Sequence, residues 1–231
     1  MFIRDIYIDW KKISGSSYLR NIDSIRNVDR ISFQKPVTFF VGENGSGKST
    51  LLEAMAISEG FNPEGGTKNY SFSTYDSHSE LYSAIRLSRT GKAKWGYFLR
   101  SESFYNVATK EEEYSESGSL HLHERSHGES FLAMAQENFM GNSLYFLDEP
   151  EAALSPQRQL SLLIEIHRCT KEGSQFFVAT HSPILLGLPD AQILSFDGEI
   201  HPCEYEETDS YKITSMFLNN KKQLLRQLLD E

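Results

Sequence analysis

The chain has 231 residues, 39% hydrophobic and 24% charged, which suits one large α/β domain or two small ones, a single unit being the simpler arrangement. A net charge of −9 and a pI near 5.3 exclude a surface that is basic all over, as a constitutive nucleic-acid binder shows. Two cysteines, Cys169 and Cys203, are too few for a disulfide scaffold, and no apolar run approaches the ~18 residues of a membrane span, so the expectation is a cytoplasmic chain without direct membrane insertion.

The first forty residues alternate apolar and polar in short runs, Phe2 to Trp10, Arg30 to Gln34 and Val37 to Val41, which predicts strands separated by a polar connection at Ser14 to Ser17. The last run is continuously apolar and leads straight into Gly42-Glu43-Asn44-Gly45-Ser46-Gly47-Lys48-Ser49-Thr50. The spacing Gly-x4-Gly-Lys-Ser is that of a phosphate-binding loop. Its glycines let backbone N–H groups of Gly42 to Thr50 curl around phosphate oxygens, and the helix that follows aims its positive end at them. In that role Lys48 reaches the β and γ phosphates and Ser49 ligates Mg²⁺.

Leu51, Leu52, Ala54, Met55, Ala56 and Ile57 continue the loop as a helix apolar on most sides, hence buried, which stops before Gly60-Phe61-Asn62-Pro63. Glu64 to Ser79 is rich in Gly, Ser, Thr and Asn and predicts a loop, followed by a hairpin turning at Thr90-Gly91-Lys92. The basic group Arg86, Arg89, Lys92, Lys94 and Arg100 suits either the solvated face of that hairpin, the plainer reading, or contact with nucleic-acid phosphates. Glu111 to Gly118 is acidic and without period, an exposed segment. Glu129 to Phe139 has helical period, with Phe131, Met134, Ala135 and Phe139 on one side.

Ser143 to Leu147 and Gln175 to Ala179 are two further apolar runs of strand length, as in a sheet covered on both faces. Between them a helix starts at a Ser155 cap with Pro156 in its first turn and ends near Gly173, and Ser182-Pro183 repeats the capping pattern. The order of elements predicts a mostly parallel α/β core. Ser210 to Leu229 reads as a helix whose apolar stripe, Ile213, Phe217, Leu224, Leu225 and Leu228, more often packs on its own domain than recruits a partner.

At the carboxyl end of the second apolar run stand Asp148 and Glu149, where open α/β sheets bind ligands. Strand alternation sends adjacent side chains to opposite sides, so the two acids take different tasks: Asp148 joins Ser49 around Mg²⁺ and Glu149 polarises the attacking water. His181 follows the third run in the same way and reaches the same edge, where it can touch a γ-phosphate. His121, His123 and His127 are too loosely spaced, with no Cys or carboxylate to complete a tetrahedron, to read as a zinc site. Tyr18 and Arg20, upstream of the phosphate loop, are the candidates to clamp a base.

Arg125-Ser126-His127-Gly128-Glu129 lies between the phosphate loop and the Asp-Glu strand, immediately before a helix. A Ser-x-Gly-Glu element in that place, followed by a switch histidine, resembles the ATP-binding cassette (ABC) ATPase superfamily. The strings Asp148-Glu149-Pro150-Glu151-Ala152-Ala153-Leu154-Ser155-Pro156 and Ala179-Thr180-His181-Ser182-Pro183 look like its stand-alone branch, the OLD-type, RecF-type and SMC-type ATPases. The resemblance spans Phe39 to Pro183. It implies a single P-loop ATPase domain over 1–231, with a nucleotide-binding core in 1–60 and 141–231 and an inserted hairpin, loop and small helical signature subdomain in 61–140. It further implies an N-terminal antiparallel β part, ATP and Mg²⁺ as cofactors, and a head-to-tail homodimer in which Ser126, Gly128 and Glu129 of one copy close on the ATP of the other. A helix N-terminus, with its free N–H donors, agrees with that picture.

The implied activity is ATP hydrolysis driving a switch on a protein or nucleic-acid partner, as in DNA repair or phage defence; the alternative is the nucleotide-binding subunit of an ABC transporter. Several departures disfavour a permease partner. Arg125 and His127 replace the transporter signature's Leu and Gly, Ser155 replaces its D-loop Asp, and Arg100 occupies the best-aligned place of its Q-loop Gln. Ser126 also follows Lys48 too closely to enclose a long coiled-coil insertion of the SMC kind. Adenine selection comes from the resemblance alone, since no Asn-Lys-x-Asp guanine reader is present.

Overall fold

The computed structural model describes residues 1–68, 79–100 and 127–229, and of residues 127–131 the backbone only. In chain order the elements are β1 (Ile3–Ile8), β2 (Arg30–Ser32), β3 (Val37–Val41), α1 (Lys48–Ser58), β4 (Gly66–Thr67), α2 (Leu81–Ala84), β5 (Ile85–Arg89) and β6 (Trp95–Arg100). Then come α3 (His127–Asn138), β7 (Ser143–Asp148), α4 (Pro156–Lys171), β8 (Gln175–Ala179), α5 (Pro183–Leu186), β9 (Gln192–Ser195), β10 (His201–Pro202) and α6 (Asp209–Leu228).

Strands β3 and β8 are buried along their whole length, the mark of parallel strands covered on both faces. They lie at the centre of a seven-stranded sheet in the order β10-β9-β3-β8-β7-β6-β4. Its five middle strands are parallel, and the short edge strands β10 and β4 run antiparallel. The N-terminal run builds a separate antiparallel sheet, β2-β1-β5. The chain is thus an α/β protein with a mostly parallel central sheet and an antiparallel N-terminal sheet.

Helix α1 is wedged between the two sheets. Leu51, Leu52, Ala54, Met55 and Ala56 are fully buried in one core with Ile3, Ile6 and Ile8 of β1 and with Phe40, Phe146 and Phe177 of the large sheet. Having a sheet on either side is why this helix is apolar nearly all round. Phe146 stacks on Phe177 at 5.4 Å, and truncating so buried a ring to alanine costs ~3–5 kcal/mol. The two sheets are sutured by the buried Gln175, whose Oε1 accepts from the N–H groups of Phe2 at 2.6 Å and Ile3 at 2.9 Å while its Nε2 donates to the Ile3 carbonyl at 2.8 Å. On the other face α3, α4 and α5 cover a second core through Met134, Ala135, Leu162, Ile166 and Leu185.

Helix starts follow the sequence signals. The Ser155 hydroxyl accepts from Arg158 N–H and that of Ser182 from Leu185 N–H, each before a first-turn proline. Two expectations need correction, and one strand went unseen. Thr90 to Lys92 turns no hairpin: β5 pairs with β1 in the small sheet and β6 with β7 in the large one, so this turn passes from one sheet to the other. The strand β9 beside β3 is absent from the sequence reading, because four residues leave too little pattern to see. The apolar stripe of α6 is not covered by the described residues. The helix is anchored near its start, where Tyr205 and Tyr211 rings meet at 4.7 Å, and no residue along it is buried.

Candidate nucleotide site

The parallel strands deliver three loops side by side to their carboxyl edge. The phosphate loop follows β3, the His181 loop follows β8, and the acidic turn follows β7, so the histidine strand separates loop from carboxylates. The phosphate loop needs glycine at Gly47, where φ is +98° and a Cβ would fall 2.6 Å from Ile25 Cδ1 and 2.8 Å from Ile22 Cγ2. It also needs one at Gly42, where φ is +139° and a Cβ would meet Asp197 Oδ1 at 3.0 Å. Glu43, Asn44 and Gly45 form the exposed tip, with Ser46, Ser49 and Thr50 half-buried behind it. From below, the Ser24 hydroxyl donates to the Ser46 carbonyl, and Asp197 Oδ1 accepts from Glu43 N–H at 2.8 Å.

Lys48 opens α1 and is buried. Its Nζ donates to the carbonyls of Gly42 at 2.6 Å and Glu43 at 2.8 Å, curled over its own loop. Burial lowers its pKa, and the carboxylates of Glu149, Asp197, Asp148 and Glu43 pull the other way. Next to it, Ser49 Oγ donates to Asp148 Oδ1 at 2.8 Å. These residues fit a Mg²⁺-bound triphosphate on three counts. The Ser46 hydroxyl is buried with no hydrogen-bond partner among the described residues, the ammonium rests on carbonyls that phosphate oxygens can replace, and a hydroxyl and a carboxylate already touch where a hard cation takes oxygen ligands.

Glu149 is held in the left-handed region, φ +47° and ψ +52°, by its N–H bond to the Ala179 carbonyl at 2.9 Å. Such a backbone costs a non-glycine residue ~1–3 kcal/mol and is typical of functional turns. It brings Glu149 Oε1 to 4.0 Å from Nε2 of His181. That Nε2 is itself buried and makes no hydrogen bond among the described residues. The His181 N–H donates to Glu151 Oε1 at 2.6 Å.

The structure therefore gathers Gly42, Asn44, Gly45, Ser46, Gly47, Lys48, Ser49, Thr50, Asp148, Glu149 and His181 at one edge. Ser126 lies outside the described residues, as do His121, His123 and the Glu111 to Gly118 segment. Gly128 and Glu129 occupy the first turn of α3, which packs on α4 and on the turn Pro150–Ala153, across the sheet from α1. Arg20 is not free to clamp a base. Its guanidinium donates to the carbonyls of Trp10, Ile13 and Ser14 at 2.8–2.9 Å, while Tyr18 stays exposed. The basic group is likewise dispersed: Arg89 pairs with Glu59 at 2.6 Å, Arg100 with Glu53 at 2.7 Å, and Arg86 lies over the Tyr7 ring at 5.1 Å. Glu151, Gln159 and Asp197 were not singled out from the sequence. None of the three carries a local signal: Asp197 follows a strand too short to read, and Glu151 and Gln159 bond to residues distant in sequence.

A glycine loop closing a central parallel strand, with a lysine, a serine and an acid strand in these positions, defines a P-loop nucleotide-binding protein. A family model described as an AAA domain matches residues 18–163, and the chain belongs to that family. No curated protein matches the sequence. Among solved structures, the SMC head domain from Thermotoga maritima is 17% identical, with a TM-score of 0.45, over 88% of this chain and 100% of that one. The cbiO1 protein from Clostridium perfringens, part of the ABC transporter complex cbiONQ, is 15% identical, with a TM-score of 0.46, over 99% of this chain and 100% of that one. No described helix is long and apolar enough to cross a membrane.

Proposed function

We propose that the chain is a Mg²⁺-dependent ATPase that works as a switch, pairing head to tail with a second copy over ATP and acting on a protein or nucleic-acid partner. The observation that carries this reading is the 2.8 Å contact between Ser49 and Asp148 directly below the glycine loop, an oxygen pair preset for Mg²⁺. Ser49 and Asp148 would hold Mg²⁺ there, and the ion would supply charge neutralisation for the phosphates. Lys48 leaves the carbonyls of Gly42 and Glu43 to bridge the same phosphates, and backbone N–H groups of Gly45 to Thr50 hold the remaining oxygens. Glu149, whose carboxylate stands beside His181, orients a water and accepts its proton. His181, whose Nε2 makes no hydrogen bond among the described residues and lies 4.0 Å from Glu149 Oε1, donates to the γ-phosphate.

Pairing is supported by the place of α3. Helix α3, whose first turn carries Gly128 and Glu129, packs through Met134 and Ala135 on the sheet face opposite α1, and in this reading a second copy presents its own first turn, with free N–H donors, to the nucleotide. Loss of the γ-phosphate removes contacts made only in the closed pair, and this shifts the population toward separate chains. The test of hydrolysis is phosphate release from ATP with and without Mg²⁺. Wild-type protein turns over only with the metal, whereas metal-independent turnover, or ATP binding without any turnover, contradicts the reading.

A further inference from the structure

Glu151 has no task in the scheme above, yet its side chain reaches into the site from the turn Pro150–Ala153. Oε1 accepts from the backbone N–H of His181 at 2.6 Å. Oε2 is buried and has no hydrogen-bond partner among the described residues. Taking a carboxyl out of water is costly, and burial does push its pKa up, with the neighbouring Glu149 charge adding to the rise and the N–H groups of Glu151 and His181 and the Thr180 side chain opposing it. A hydrophobic residue would cover the same space without that cost.

A second tie holds the same loop from its other end. The Ser182 hydroxyl donates to Gln159 Oε1 at 2.6 Å, and Gln159 Nε2 donates to the Leu154 carbonyl at 3.0 Å. The loop bearing His181 is thus fastened on both sides to the stretch that begins at Glu149. With no hydrogen bond on Nε2 among the described residues, the imidazole depends on its backbone for its position. We infer that Glu151 is a positioning residue whose carboxylate fixes the His181 backbone, so that the imidazole and Glu149 face the same phosphate and water. The inference rests on the ATPase reading for its consequence, and on hydrogen-bond geometry alone for the positioning.

The experiment compares wild type, Glu151→Gln, which keeps an acceptor oxygen, and Glu151→Ala, which does not. Amide hydrogen exchange at His181 without nucleotide accelerates roughly tenfold or more in E151A and stays near wild type in E151Q, as the loss of one charge-assisted bond predicts. In parallel, kcat falls about tenfold in E151A with KM for ATP within about twofold, because the phosphate loop is untouched, and E151Q restores it. If E151A does not fold, Glu151→Asp, too short to reach the amide, takes its place with the same expectation. Unchanged exchange at His181, equal losses in the alanine and glutamine variants, or a KM that rises as far as kcat falls overturns the inference. A wild type that shows the expected exchange but releases no phosphate overturns the ATPase reading instead and leaves the exchange comparison to decide Glu151.

Discussion

The phosphate loop and the His181 loop stand at the same sheet edge and differ in what their side chains are engaged with. Both are braced from outside, the first by Ser24 and Asp197, but in the first Lys48 donates only to carbonyls of its own loop and the Ser46 hydroxyl has no partner among the described residues. The second is tied by side chains from elsewhere, Glu151 and Gln159. Contacts of the first kind can be exchanged for phosphate oxygens at little cost. Contacts of the second kind involve no group that a phosphate would replace, so one loop is built to receive and the other to stay where it is.

Removing the movable cation breaks the comparison most sharply. Lys48→Ala lowers ATP affinity by about 100-fold or more, since a charge-assisted contact to phosphate is lost from a partly dry site, and leaves Tm within a few degrees of wild type; equilibrium binding of a fluorescent ATP analogue checks it. Glu149→Gln lowers turnover about 100-fold or more while ATP affinity stays within about threefold, the signature of a group used in the reacting state alone. Equal losses in affinity and turnover would place Glu149 in binding.

Gly47→Ala sharpens the contrast from beneath the loop. A methyl 2.6 Å from Ile25 and 2.8 Å from Ile22 in a left-handed backbone should cost ~2–3 kcal/mol by urea unfolding, and the paired change Ile25→Val recovers part of it. The smallest effect is expected far from both loops. Asp5 is held below its ordinary value of 3.8, first by the Ser32 hydroxyl and then by Arg30, so the fold binds its proton less readily than the unfolded chain does. Its contribution is complete above that pH and is lost as pH falls through the lowered value. Asp5→Asn therefore unfolds at slightly lower temperature at neutral pH, the gap closes in acid, and ATP turnover at pH 7 is unchanged.

The parts of the site legible in the sequence are those whose chemistry is local. The glycine loop, Lys48, Ser49, the Asp148-Glu149 pair and the capped helix starts each carry their signal within a few residues, and the structure brings these site residues together. The surface of α1, apolar on most sides, likewise announced a buried helix. What escaped depends on pairing between distant segments. Trp95–Arg100 has strand character either as half of a hairpin or as a parallel neighbour of β7, and only the large sheet decides between them. Gln175 looks like an ordinary first strand residue until Phe2 and Ile3 arrive to use its amide. Glu151 gave no sign of its bond to His181, thirty positions away.

The account depends most on two chains closing over ATP, and the mass of the Glu149→Gln protein in solution tests that directly. Light scattering of the protein eluting with saturating ATP and Mg²⁺ should give twice the 26.4 kDa of one chain, and removal of nucleotide should return it to the single mass. A protein fully loaded with ATP that stays at 26.4 kDa contradicts it.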